Sequence, residues 1–286
     1  MLRADRDVSP LNLTPSYPMS PMTVRPIELV ARRLAAAKRV AVITGAGISA
    51  ESGLRTFRGA TTADLPPDMQ SLWKEFDPAT LATPEAFARD PAMVSKWYDW
   101  RRMGCLAAEP NPGHRALAAL QRAVEAKGGE FVLLTQNVDR LHQRAGSIGV
   151  VELHGTIMEW RCTTSGERMT PPESAFRTYP PTSPFTPGAL LRPDVVWFGE
   201  MLPPAALAAA ASAAGSCDVF MSIGTSAVVY PAAGFLFDAE RNEAFTIEVN
   251  LEATPASEFV DATLGGSSSA VLPALVRAAF GPGAMA

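Results

Sequence analysis

The chain has 286 residues, 47% of them hydrophobic and 19% charged, enough apolar sequence to bury one large core with or without a satellite module. Its formal net charge is -4, from 25 Lys and Arg against 29 Asp and Glu, and no basic block is long enough to follow a phosphate backbone, which argues against a nucleic-acid partner. No run approaches the ~20 apolar residues that span a bilayer, and the three scattered cysteines, Cys105, Cys162 and Cys217, suit neither a disulfide framework nor a CxxC metal site.

In chain order, residues 1–22 mix Pro, Ser, Asp and Arg without periodicity, so a flexible tail is expected to residue 24, with Met19 and Met22 as alternative starts. That segment carries no continuous apolar run of signal-peptide type, and a cytoplasmic protein is the expectation. Ile27 to Ala37 has apolar residues at helical spacing, and Val40 to Thr44 is a short apolar run that ends in Gly45: helix, buried strand, Gly-rich turn. Asp90 to Arg102 is helix-like. Strand runs recur at Phe131–Thr135, Val219–Ile223 and Ala244–Val249, separated by helical stretches Gly113–Ala126, Pro204–Ala214 and Ala232–Arg241. Strand alternating with helix predicts an α/β fold, a Rossmann-like doubly wound parallel sheet. Cys162 to Arg192 breaks the pattern with many Pro, Ser and Thr and reads as a small, irregular second module. The expected division is one domain over 25–286, with its core at about 25–58, 104–155 and 193–280, and the small module and a loop at about 59–103 and 156–192.

Ligands of such sheets bind beyond the carboxyl ends of the strands, where Gly45, Gln136, Gly224 and Asn250 would project. Gly45-Ala-Gly-Ile-Ser-Ala50 fits the G-x-G-x-x-A form of a dinucleotide loop, although a plain tight strand-to-helix turn reads equally well. Thr135-Gln-Asn-Val-Asp-Arg-Leu-His142 sets an amide pair and a carboxylate at a strand end, able to hold ribose hydroxyls and a carboxamide or simply to cap the next helix. Of the three histidines, His114 and His142 fall in or near helices, whereas His154, in Glu152-Leu-His-Gly155, has a loop-like context with backbone room for a substrate. His154 is therefore the first choice for a general base.

Taken together, GAGISAESGLRTFRG, TQNVDRLH, ELHG, LRPDVVWFGE and GTSAVVYPAAGF, in this order, resemble the sirtuin family from about Arg25 to Ala279. The resemblance implies an NAD-dependent protein-lysine deacylase, with an acyl-lysine peptide entering between a Rossmann domain and a small module. By position Gly45, Ala46, Gly47 and Ser49 would line the phosphates. Glu51, Phe57 and Arg58 would belong to the cofactor site and its loop. Gln136, Asn137 and Asp139 would surround the nicotinamide and its ribose, and Gly224, Thr225, Ser226, Asn250 and Glu252 would hold phosphate and the adenosine ribose. The substrate would lie along Val195, Val196, Trp197, Phe198, Gly199 and Glu200. In the family's chemistry the acyl oxygen attacks the nicotinamide-bearing ribose carbon, and His154, beside Asn137 and Asp139, would take a proton from a ribose hydroxyl. The products are free lysine, nicotinamide and O-acyl-ADP-ribose. Tyr98 and Arg101, three apart on one helix face, resemble the Tyr-x-x-Arg pair of sirtuins that accept acidic acyl groups, so succinyl, malonyl or glutaryl lysine joins acetyl lysine as a candidate.

The sequence also departs from the family. Most sirtuins hold a structural zinc with four cysteines. Here only Cys162 stands in that region, Thr163-Thr-Ser165 follows it, and no zinc is expected. The module would be held by packing, with Phe176, Tyr179 and Phe185 as apolar anchors. Gly59 to Glu75 looks like extra loop sequence, and Asp194 could favour basic peptides. Two other readings remain, an NAD glycohydrolase or ADP-ribosyl transferase, and a non-catalytic NAD or ADP-ribose binder. Monomer is the default oligomeric state.

Overall fold

A computed structural model describes residues 27–54, 78–226 and 231–285. The chain runs through α1 (Ile27–Ala36), β1 (Arg39–Thr44), α2 (Ala46–Ala50), α3 (Pro78–Leu81), α4 (Pro84–Arg89), α5 (Pro91–Ala107), α6 (Pro112–Glu125), β2 (Glu130–Thr135), α7 (Leu141–Arg144), β3 (Val151–Glu152), β4 (Gly155–Cys162), β5 (Arg168–Met169), β6 (Leu191–Val195), α8 (Pro204–Ser216), β7 (Val219–Ile223), α9 (Gly234–Arg241), β8 (Phe245–Asn250), β9 (Ala262–Gly265) and α10 (Ser268–Phe280). Among the described residues no helix is long and apolar enough to cross a membrane.

Six strands form one parallel sheet in the order β3-β2-β1-β7-β8-β9. β1 is buried from Val40 onward on both faces, which is why its sequence is a continuous apolar run rather than an alternation. Val40 and Val42 pack with Leu34 of α1, Leu117 and Leu120 of α6 and Leu275 of α10 on one face. Ala41 and Ile43 pack with Ala210 of α8 and Leu236 of α9 on the other. The connections leave β1 outward to β2 and β3 and, after β7, outward the opposite way to β8 and β9. The order therefore reverses between β1 and β7, and a crevice opens beyond Thr44 and Ile223, where doubly wound sheets bind their ligands.

The doubly wound sheet expected from the alternation of runs is present. Two edge strands carry too little sequence to be read in advance: β3 is two residues long and β9 is only Ala-Thr-Leu-Gly. The second module is less irregular than expected, since β5, β4 and β6 form an antiparallel sheet. Pro193, Asp194 and Val195 pair with β4 there, so the core segment expected to resume at 193 resumes after Val195.

α3, α4 and α5 pack on this small sheet around Leu81, Val94, Trp97, Tyr98, Ile157, Trp160 and Trp197. α4, α5 and α6 start with the same device, a polar cap followed by proline at the first helical position. Thr83, Asp90 and Asn111 accept backbone N–H groups of the first turn, and Pro84, Pro91 and Pro112 follow them. Of the three expected anchors of the module, Phe176 stacks edge-on against buried Trp160 with ring centroids 4.8 Å apart, and Tyr179 reaches back to α5. Phe185, by contrast, is 36% exposed, a correction to the sequence reading of it as a buried anchor.

Candidate active site

The Gly-rich turn after β1 is held against the end of β7. Gly45 N–H donates to the Ile223 carbonyl at 3.0 Å and Gly47 N–H to the Gly224 carbonyl at 2.8 Å. A Cβ on Gly47 would stand 2.7 Å from Gly224 Cα, and one on Gly45 would stand 2.8 Å from Gly224 O. Gly224 itself has φ +59°, which glycine adopts without strain. These glycines thus serve first to let two strand-end loops touch. The same contact sets Ala46, Thr225 and Ser226 at the mouth of the switch-point crevice. Asn250 closes the row by donating from Nδ2 to the Thr225 carbonyl at 2.9 Å, and Glu252 is exposed beyond β8.

Ser49 departs from its expected place on the phosphates. It is buried, its hydroxyl donates to Asp139 Oδ2 at 2.7 Å, and it accepts from Asn137 Nδ2 at 3.1 Å. Asn137 Nδ2 also donates to Gly45 O at 3.0 Å, and Asp139 Oδ1 accepts the Leu141 N–H at 2.9 Å. The two side chains expected around a ribose are therefore fixed by the protein itself, and Asn137 and Asp139 are 9% and 5% exposed. Burial raises the Asp139 carboxyl above its ordinary range, against the lowering effects of Leu141 N–H, Ser49, Arg101 and Arg144. Glu51 accepts the Ser269 N–H at 3.1 Å and so ties α2 to α10. Phe57 and Arg58 lie outside the described residues.

A layer beneath was not anticipated as part of the site. Thr44, the last residue of β1, hydrogen-bonds Thr135 at 2.8 Å and His142 Nε2 at 2.9 Å, and Thr135 accepts the Asn137 N–H at 3.1 Å. The His142 ring packs edge-on against His114 with centroids 4.9 Å apart. Burial lowers both: His142 well below its ordinary value and His114 to about 4, the latter aided by Arg115. Both rings are therefore neutral at physiological pH. A threonine closing an apolar strand was the one available signal, since a hydroxyl at that depth needs a partner.

His154 stands apart from them. Its Nδ1 lies 3.0 Å from the Gln136 carbonyl, a contact that assigns the proton to Nδ1 and leaves the Nε2 lone pair free. Burial lowers its pKa, partly opposed by the Gln136 bond, so the ring is a neutral base at pH 7. Gln136 in turn donates from Nε2 to Thr225 Oγ1 at 3.2 Å, linking the base to the row of loop residues. The following Gly155 has φ +69°, and a Cβ there would lie 2.2 Å from the Asp194 carbonyl. Its smallness serves β6, which pairs Val195 with Gly155, rather than room for a substrate.

The segment after β6 crosses the same spot, with Val196 N–H donating to His154 O at 2.9 Å. Of its six residues, Val195 and Trp197 are buried. Glu200 is a strut that takes two bonds from Arg192 and one from the Trp197 N–H; burial alone would raise its carboxyl, but these bonds and the charges of Arg192 and Arg161 hold it below its ordinary range. Val196 is half-buried, and Phe198 and Gly199 are exposed. Asp194 is engaged by Arg168 at 2.6 Å and lies 3.7 Å from Arg161, so the expected free negative charge is answered within the fold.

Tyr98 and Arg101 come together as their spacing predicted. The Arg101 guanidinium lies 4.9 Å from the Trp97 ring centre and 5.8 Å from that of Tyr98, and Trp197 sits 6.2 Å from Tyr98. Burial pushes the Tyr98 phenol up to about 12, against Arg101 and Trp197, so it keeps its proton as a donor.

The chain's similarity to known proteins agrees with this geometry. The profile of the Sir2 family matches residues 45–231. An NAD-dependent protein deacylase of Thermus thermophilus is 49% identical over 231 residues, 80% of this chain and 85% of the relative. NAD-dependent protein deacylase 1 of Pseudomonas aeruginosa is 45% identical over 261 residues, 89% of this chain and 99% of the relative. A solved Sir2 homolog in complex with NAD aligns with TM-score 0.80 at 41% identity, covering 91% of this chain and 95% of that one. A Sir2 complex with a p53 peptide and NAD+ aligns with TM-score 0.73 at 27% identity, covering 88% and 98%. On relatives this similar over nearly their whole length, the chain belongs to the Sir2 family.

Proposed function

We propose that the protein is an NAD-dependent protein-lysine deacylase, and the observation that carries this is His154, with Nδ1 anchored to the carbonyl of Gln136, the residue before Asn137, and Nε2 left as a free base. The strand ends at the switch point fit a dinucleotide: loop backbone at the crevice mouth, and a carboxamide and a carboxylate already oriented below it. NAD, bound there, supplies an activated bond between nicotinamide and ribose whose cleavage drives acyl transfer. The chain's part is to hold Asn137 and Asp139 fixed, to accept a proton at His154 Nε2, and to present an acyl-lysine along Val196, Phe198 and Gly199. The relatives' names, all NAD-dependent protein deacylases, support the reaction.

Tyr98 and Arg101 are assigned to the end of the acyl pocket, where a phenol donor and a stacked guanidinium suit a carboxylate-bearing acyl group such as succinyl. The small module is assigned a metal-free hold. A tetrahedral zinc site needs four ligands, whereas Cys162 accepts the Ser165 N–H at 3.4 Å from the position where a partner thiolate would be required. The residues do not fit zinc.

The test is mass spectrometry of acetyl-, lactyl- and succinyl-lysine peptides with and without NAD, following deacylated peptide and O-acyl-ADP-ribose together. Both products, appearing only with NAD, are expected. Nicotinamide release without either would identify a glycohydrolase or transferase, and cofactor binding without turnover would identify a binder.

A further inference from the structure

Helix α5 carries two functions on alternating residues. Tyr98 and Arg101 face the proposed acyl pocket. Asp99 and Arg102, one step on, are among the most buried charges of the described chain, with side chains 0% and 2% exposed. Arg102 grips Asp99 Oδ1 with Nε at 2.9 Å, and one terminal nitrogen comes within 2.7 Å of the same oxygen. Its remaining donors leave the helix for the module, from Nη1 to Pro172 O at 2.7 Å and from Nη2 to Ser174 O at 2.8 Å. Asp99 Oδ2 does the same, accepting the Phe176 N–H at 2.8 Å and the Tyr179 hydroxyl at 2.5 Å. Burial and the Asp99 bond keep the Tyr179 proton in place, so the phenol is a donor. One ion pair thus binds four points of an eight-residue stretch, 172–179, that has no strand of its own. The guanidinium also lies 5.5 Å from the Phe176 ring centre, and Phe176 packs on Trp160 of β4.

That stretch lies between β5 and β6, in the segment that the family's zinc cysteines would organise and that here holds none but Cys162. We propose that Asp99 and Arg102 are positioning residues that stand in for the metal: their buried, fully bonded pair fixes the module onto α5 and thereby sets the placement of Tyr98 and Arg101 against the acyl group. The inference rests on the acyl-lysine reading for its substrate, but the mechanical link does not. The planar guanidinium reaches one carboxylate and two carbonyls from three separate nitrogens, a spread that the single nitrogen of an ammonium cannot reproduce.

The test uses the full chain with Tyr179→Phe, which removes one hydrogen bond to the carboxylate, and Arg102→Lys, which keeps the charge and loses the fork. Losing one such bond is expected to lower kcat/KM for the preferred acyl peptide about ten- to hundredfold in Tyr179→Phe. KM for NAD should stay within about twofold of the parent, because the dinucleotide residues lie on the other sheet. Hydrogen exchange should show the Phe176 amide losing protection in both variants, and added zinc should restore neither property. Unchanged Phe176 protection in Arg102→Lys, or equal losses toward peptide and NAD, would overturn the proposal. A parent protein that turns over no acyl peptide would instead sink the functional reading, and the exchange measurement would still decide the clamp.

Discussion

Gly155→Ala is a sharp perturbation, because it adds a single methyl group between the base and the substrate segment. The new Cβ would lie 2.2 Å from Asp194 O, 3.2 Å from Asp194 C and 3.3 Å from Val195 Cα. All three are backbone atoms, so no side chain can rotate away. Reaching ordinary contact requires β4 and β6 to part by about 1 Å, an overpacking that costs roughly 1–3 kcal/mol. The left-handed φ of +69° adds about 1–2 kcal/mol for a residue with a Cβ. A total of roughly 2–5 kcal/mol corresponds to a fall in Tm of about 5–15 °C in a domain of this size. The displaced atoms include the partner of His154 O, the Val196 N–H, and an error of about 1 Å at a reacting centre costs on the order of a hundredfold in rate. Scanning calorimetry gives the first number and steady-state deacylation at saturating NAD the second, while NAD affinity should be nearly unchanged. A variant with Tm within about 2 °C of the parent and kcat/KM within about twofold would refute the claim that Gly155 is fixed by strand packing.

His154→Ala should abolish deacylation while NAD still binds by calorimetry, and the parent's kcat/KM should stay flat through neutral pH and fall only below 6.5, because burial lowers the pKa of the base. Stability should follow the buried histidines as well. His114 and His142 are neutral when folded and take up protons near 6.5 when unfolded, so the unfolded state gains protons first. Tm should therefore drop as pH falls from 6.5 toward 4, and His142→Gln should flatten that slope. Arg101→Met should lower desuccinylation more than deacetylation in parallel peptide assays, and equal losses would remove the carboxylate role. Elemental analysis of the purified protein should find no stoichiometric zinc, and a chelator should leave Tm unchanged.

The sheet was legible because its strands are buried on both faces, so that Val40 to Thr44 and Val219 to Ile223 stand out as apolar runs whatever their neighbours. The edge strands and the small sheet were not, since β3 and β5 are only two residues long and β4 pairs with the distant β6, which leaves no local period. Position after a strand singled out Gln136, Asn137, Asp139 and Asn250, and the family resemblance added Thr225. It could not reveal which polar atoms turn inward. Ser49 and Glu200 carry motif positions yet point into the protein, bonded to Asp139 and Arg192, because a buried polar atom must find a partner that only the tertiary fold supplies. Asp99 and Arg102 escaped for the same reason. On a helix of mixed composition an acidic and a basic residue three apart read as a solvated pair, and only packing turns them inward.

The layer of Thr44, Thr135, Ser49 and the paired imidazoles also affects how the protein responds to crowding by nucleotide ligands. Asn137 and Asp139 lose their rotational freedom when the chain folds, so a molecule arriving at the crevice immobilises little that was mobile before. Occupancy of that half of the site should therefore leave the backbone beneath it as ordered as it already was, and any adjustment on binding must come from elsewhere in the chain. The same arrangement makes the pocket report on the sheet. A substitution that loosens the ends of β1 and β2 would release both side chains together, and recognition would be lost in one step rather than contact by contact.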